Sequence, residues 1–382
     1  MIRALAFITV VAGLLLFPAS RAAPAVPPRA AISGVPVGVI FDTDMWSDID
    51  DMLALAMLNV LHDRREINLL AVTSSTQDPW TASYIDLVDT FYGHAKVPVG
   101  LVRNGVRLTV FRERFPEETW PPTRYTQIIS ERKNKDGTLM YPHRLVDGNE
   151  APDALLVLRK TLAAQPDGSV VVIQVGFSTN LARLLDTKGD ATSPLGGVEL
   201  VAKKVRMLSL MGGCYSDLHY ANETLPKGAP EFNLKVDVPA AQKLFSTWPT
   251  PIVASGLEVG FAMWYSGSTI GSDYGYVLHH PIADTYRTYC EEMKSREHKI
   301  DRCPQDHDHA TFDLTSVLYA ARPDRGYFSL SKPGTITVLA DGGSRFDEAP
   351  NGKHRFLILS EVQRARTLEA MMLLASEPPR VR

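Results

Sequence analysis

Five aspartates crowd one short stretch of the chain. Asp42, Asp44, Asp48, Asp50 and Asp51 fall within ten residues of FDTDMWSDIDDMLALA, directly after the apolar run VPVGVIF. Held together in a low-dielectric environment, such carboxylates repel one another by several kcal/mol unless a positive charge sits among them. An all-oxygen donor set suits a hard divalent cation, Ca²⁺ or Mg²⁺, rather than zinc, which prefers His and Cys. Asp50 and Asp51 also open the next helix, where its dipole welcomes negative charge. Capping needs one carboxylate, however, and five are present. The residue types and their spacing therefore point to a bound hard cation.

The elements that position these residues follow a repeating plan. Short β-branched runs are followed by polar or glycine turns and then by helical periodicity: residues 35–41 before DDMLALAMLNVL, residues 169–176 (SVVVIQVG) before STNLARLL, and INLLAVTSS from Ile67. This alternation predicts an α/β fold, a mostly parallel open sheet with helices on both faces, in a single domain. Residues 205–213 and 249–256 read as further core strands. TITVLADGGSRF, with its DGG turn, and HRFLIL read as a late hairpin, and a final helix opens with Ser360 and Gln363 at capping-box spacing. Residues 111–146 lack periodicity and read as a surface excursion. In open parallel sheets ligands bind beyond the carboxyl ends of the strands, which is where the aspartates lie. Two phosphate chemistries that also use DxD after a strand fit less well. A haloacid-dehalogenase-like phosphatase needs small residues where Met45 and Trp46 stand, and a glycosyltransferase DxD does not run into a helix-opening Asp pair.

Taken in order, the motifs resemble the calcium-dependent nucleoside hydrolases of the inosine–uridine type. DTDMWSDIDDMLALA is similar to that family's Asp-x-Asp, turn and Asp-Asp-helix signature. VGFSTNLARLL (175–185) resembles its GGxTNIA turn, LSLMGGCY (208–215) its LMGG strand end, PEFNLKVDVPAAQ (230–242) its AEFN segment, and TFDLTSVLYAARP (311–323) its late HDPxAVAY helix. The resemblance implies an N-ribosyl hydrolase that splits nucleosides into ribose and base with Ca²⁺. It also implies roles: Asp44, Asp51, the Val175 carbonyl and Asp313 as metal ligands, with Asp44 doubling as general base. Asp50, Glu231 and Asn233 would hold the sugar hydroxyls. Asn180 reads as helix-start structure rather than a ligand.

Several positions depart from the family pattern. Asp44 and Asp50 are six residues apart where the family's short form has four, which leaves open whether Asp48 or Asp50 faces the sugar. Phe312 stands where many members place a His to protonate the departing base, and Asp78 where members keep an Asn near the metal. His307 or His309, from DHDHATFD, is a candidate leaving-group acid; alternatively Phe312 and Trp46 stack the base, or the DHDH run is a solvated loop.

Composition and termini complete the expectations. The 382 residues carry a net charge of −3, so no basic footprint announces a nucleic-acid polymer, and the substrate should be a small molecule. Arg3, an apolar run over residues 4–17 and small residues over 18–23 read as a signal peptide cleaved after Ala22, ahead of a Pro/Ala-rich lead (23–33) and the domain proper (34–382). This predicts a periplasmic or secreted protein without membrane attachment after cleavage. Relatives imply a homodimer or homotetramer. In such a compartment Cys290 and Cys303 either pair or, with Cys214, remain free thiols.

Overall fold

β1 (Val37–Thr43) shows why this chain builds a parallel sheet. All of it except Val37 is buried, and successive side chains feed opposite faces: Val39 and Phe41 enter one apolar core while Ile40 enters the other. A strand covered on both sides needs this continuous apolar run rather than strict alternation. The computed structural model describes residues 36–46, 48–107, 123–220, 223–295 and 308–380.

Among these residues the strands are β1, β2 (Ile67–Thr76), β3 (Val99–Val106), β4 (Val170–Gln174), β5 (Val205–Met211), β6 (Leu218–Tyr220), β7 (Glu223–Leu225), β8 (Ile252–Ser255), β9 (Trp264–Tyr265), β10 (His309–Ala310), β11 (Ser329–Leu330), β12 (Gly334–Val338), β13 (Ser344–Glu348) and β14 (His354–Ile358). The main sheet has the order β13-β12-β14-β8-β5-β4-β1-β2-β3, with β11 paired to β14. From β3 to β14 every neighbouring pair is parallel. The chain moves outward from β1 to β2 and β3 on one side, then returns to β4, β5 and β8 on the other. The gap between β1 and β4 is therefore the topological switch point.

The helices are α1 (Asp50–Asp63), α2 (Pro79–Phe91), α3 (Tyr125–Ser130), α4 (Ala154–Ala163), α5 (Thr179–Leu185), α6 (Gly197–Lys204), α7 (Phe232–Val236), α8 (Val238–Thr247), α9 (Leu257–Phe261), α10 (Ser268–Asp273), α11 (Pro281–Ser295), α12 (Phe312–Ala321) and α13 (Glu361–Ser376). α1 is buried almost all round, as a helix must be when it packs on the sheet and is covered in turn. Its neighbours α12 and α13 lie in the same core. The other face holds α4, α5, α6 and α8. α13 begins with the expected capping box: Gln363 N–H donates to Ser360 Oγ (3.4 Å), and Ser360 N–H donates to Gln363 Oε1 (3.0 Å).

Two expectations need correction. The late hairpin is complete within β12 and β13, whose DGG turn closes it on itself. HRFLIL instead becomes β14, which extends the parallel sheet beside β8. The excursion contains a helix, α3, and its Tyr125 is wholly buried. Residues 111–122 of that excursion, the signal-peptide region and His307 lie outside the described residues. Cys214 is a free, buried thiol and Cys290 is disulfide-bonded; its expected partner Cys303 also lies outside them.

Candidate active site

At the carboxyl end of β1 the two aspartates of DTD point to different environments. Asp42 is sealed inside, accepting from Thr73 Oγ1 (2.5 Å) and Asn180 Nδ2 (2.8 Å), and burial pushes its carboxyl up to about 7. Asn180 also donates to Ser74 O (3.0 Å), so it ties α5 to β1 and β2, in keeping with helix-start structure. Asp44 belongs to the acidic turn. Thr43 Oγ1 and Met45 N–H (3.1 Å) both donate to Asp51 Oδ1, which folds the loop back onto the start of α1.

The long Asp44–Asp50 spacing is absorbed by burial. Met45 takes a left-handed φ of 44°, and the Trp46 that follows is 2% exposed, its ring edge-on to Phe177 with centroids 6.1 Å apart. Thr123 Oγ1 donates to Trp46 O (3.2 Å), and Tyr125 Oη to Asp48 O (2.8 Å). Anchored by its aromatic residue, the loop returns in time for Asp50 and Asp51 to open α1. Trp46 thus has no face to offer a base.

Across the switch point, Val175 N–H donates to Asp42 O (2.8 Å). The approach demands glycine next: a Cβ on Gly176 would lie 2.4 Å from the Asp44 nitrogen. The Val175 carbonyl accepts from Asn233 Nδ2 (2.7 Å). From the opposite core, α12 brings in Asp313, whose N–H donates to Asp50 Oδ2 (2.8 Å). Carboxylate oxygens of Asp50, Asp51 and Asp313 lie within 4.8 Å of one another.

The electrostatics of this cluster decide what it can hold. Asp44, Asp50, Asp51 and Asp313 are each at most 5% exposed. Among the described residues no Lys or Arg pairs with any of them. At an effective dielectric of about 20, two charges 4.8 Å apart repel by about 3–4 kcal/mol. Burial first, and neighbouring carboxylates second, hold Asp44, Asp50 and Asp313 well above the ordinary carboxylate range. Asp51 rises only to about 6, because its two donors partly offset burial. Uncompensated buried oxygens converging from β1, α1 and α12 fit a hard divalent cation, with the Val175 carbonyl as a neutral donor.

The remaining expected residues sit around this centre. Glu231, 1% exposed, caps α7: its carboxylate accepts from Asn233 N–H (2.9 Å), Leu234 N–H (3.1 Å) and Gly213 N–H (3.3 Å), and burial raises it to about 7. Glu231 therefore places Asn233, and Asn233 places the Val175 carbonyl. Phe312 is half-buried with its ring edge-on to Phe261 (4.9 Å), in a seat that exists because residue 260 is a glycine. Asp78 caps α2 through Trp80 N–H (3.0 Å). His309 is not in a solvated loop: it is 8% exposed, and its Nε2 pairs with Asp48. Sequence reasoning overlooked Tyr125 and Gly176. A lone tyrosine in an aperiodic stretch carries no signal, whereas the glycine just after a strand end was a readable one.

The inosine-uridine preferring nucleoside hydrolase family matches residues 39–369. The chain belongs to this family. The match spans the whole sheet from β1 onward and the acidic turn, so the family assignment and the fold describe the same unit. These are N-ribosyl hydrolases of a metal-dependent family, and this chain has an acidic cluster that could bind a metal. A purine-preferring ribonucleoside hydrolase from Gardnerella vaginalis superposes with a TM-score of 0.62 at 18% identity, covering 89% of this chain and 98% of that one. An inosine-uridine preferring nucleoside hydrolase from Bacillus anthracis gives 0.59 at 14%, covering 89% and 99%. The type III effector protein XopQ, solved with adenosine diphosphate ribose, gives 0.56 at 15%, covering 90% and 92%. At these identities the likeness concerns the fold. No curated protein matches the chain.

Proposed function

We propose that the protein hydrolyses the N-glycosidic bond of ribonucleosides, releasing ribose and free base, with Ca²⁺ as its resident cation. The observation that carries this reading is the set of buried, unneutralised carboxylates converging at the β1/β4 switch point. Asp44, Asp51, Asp313 and the Val175 carbonyl would hold the ion, which when bound makes water a better nucleophile and anchors the sugar hydroxyls.

The chain's own residues supply the rest. Asp44 accepts the proton of the water that attacks C1′ at its carboxylate. Asp50, held by the Asp313 N–H, accepts from a ribose hydroxyl. Glu231 and Asn233 keep the carbonyl donor at its post. The sugar is thus oriented by groups on rigid elements before the bond breaks. On the reading of residues 1–22 as a signal peptide, the enzyme works outside the cytoplasm. It is expected to assemble as a homodimer or homotetramer.

The test is direct. Purified protein is incubated with inosine, uridine, adenosine and p-nitrophenyl riboside, with Ca²⁺ or with EDTA, and released ribose is measured. Release that EDTA abolishes and Ca²⁺ restores is expected. Absence of release from all four overturns the reading. A second reading, a cleft that binds a ribosyl ligand without turnover or cleaves another small glycoside, is favoured by Phe312, which carries no proton for a leaving base. Calorimetric binding of ribose without any release would select its binding form.

A further inference from the structure

The acidic cluster has a rim as well as a floor. β10 pairs antiparallel with β9, placing His309 opposite Tyr265, and Thr311 N–H donates to Met263 O (3.1 Å) to fix the strand just before α12. The imidazole stands edge-on to Tyr289 with centroids 6.0 Å apart. Its Nε2 meets Asp48 Oδ1, an oxygen that also accepts from Ile49 N–H (2.7 Å), while the Asp48 carbonyl is held by Tyr125. A ring nitrogen of His309 and carboxylate oxygens of Asp48 and Asp50 lie within 4.8 Å of one another. The Asp48 side chain is 35% exposed, unlike the buried carboxylates beneath it. The pair therefore sits between Asp50, which the hydrolase reading puts on the sugar side, and solvent.

A departing purine or pyrimidine leaves with the electron pair of the C1′–N bond and needs a proton to leave as a neutral molecule. We propose that the Asp48–His309 pair delivers that proton, a task that Phe312 cannot perform. This inference rests on the hydrolase reading. As the C1′–N bond breaks, its electrons pass to the base nitrogen, and the proton carried by the His309 imidazole moves to that nitrogen. Water adds to C1′ and gives its proton to Asp44, Asp44 releases that proton to solvent, and solvent reprotonates the imidazole. Nucleoside and water become ribose and neutral base. His309 is the donor; Asp48 is a positioning residue that keeps the ring in place.

The experiment compares leaving groups. p-Nitrophenolate departs as a stable anion, so p-nitrophenyl riboside needs no donor. His309→Ala should lose at least ~100-fold in kcat/KM on inosine while keeping a near wild-type rate on p-nitrophenyl riboside, which also certifies folding. His309→Gln, closer in size and hydrogen bonding, is the second variant and should show the same split. Asp48→Asn should lower kcat on inosine with little change in KM and shift the acidic limb of its pH profile, and Asp48→Glu should restore part of the rate. Equal losses on both substrates, or no loss on inosine, overturn the dyad and leave the hydrolase reading standing. Wild-type protein that cleaves p-nitrophenyl riboside but not inosine also overturns the dyad. Wild-type protein that cleaves neither overturns both.

Discussion

Asp44 is set apart from the other aspartates of the turn by what surrounds it. Asp42 is held by two side-chain donors and Asp51 by two from its own loop, whereas Asp44 is raised by burial and by the charge of Asp51. On the proposed function, Asp44 is the proton acceptor. Asp44→Asn should reduce kcat on inosine by at least ~100-fold; steady-state kinetics that show an unchanged rate refute the role. A second residue-scale expectation concerns Glu258, which accepts from Tyr215 N–H (3.1 Å) and is raised by burial from 4.5 to about 7. The folded state holds that proton more tightly than the unfolded chain, so its contribution to stability is full below about 4.5 and declines as pH rises through about 7. Glu258→Gln keeps the acceptor and removes the titration. Wild type should therefore lose stability relative to the variant between pH 5 and pH 8 in denaturant unfolding, and parallel pH profiles would contradict this.

At the scale of elements, the site depends on how the acidic loop is pinned. Trp46, Phe177 and Val236 form a small apolar cluster, with Phe232 and Val106 against it. It joins the turn after β1 to the turn after β4 and to α7. Trp46→Ala removes the ring that takes up the extra residues of the turn. It should cost about 3–5 kcal/mol of stability, measured by chemical denaturation, and should weaken Ca²⁺ binding in a calorimetric titration although no ligand is altered. A variant with wild-type Ca²⁺ affinity would show that the loop holds its shape without the anchor.

For the whole molecule, the proposed ion would tie stability to the cluster. Four buried carboxylates without a cation oppose folding through repulsion and lost hydration. An ion bound only by the folded chain adds about 2.7 kcal/mol at a free concentration one hundred times its Kd. Calcium should raise the melting temperature, EDTA should lower it, and Asp313→Asn should shrink the difference, all read by scanning calorimetry. Identical melting with and without Ca²⁺ would argue that the cluster holds no ion.

The sequence by itself determined the class of sheet, the crowding of acidic residues after the first strand and the order of the motifs. Each of these is local: apolar runs specify strands buried on both faces, and five carboxylates within ten residues crowd one strand end. The capping box at Ser360 and the glycine after β4 are legible for the same reason. Only the tertiary structure decided which carboxylates converge, because Asp313 reaches Asp50 from a helix 263 positions away. It decided that Trp46 turns inward, that Glu231 caps α7, and that His309 meets Asp48 through a two-residue strand pair. Those outcomes depend on packing between elements distant in the chain, and spacing along the sequence carries no record of it.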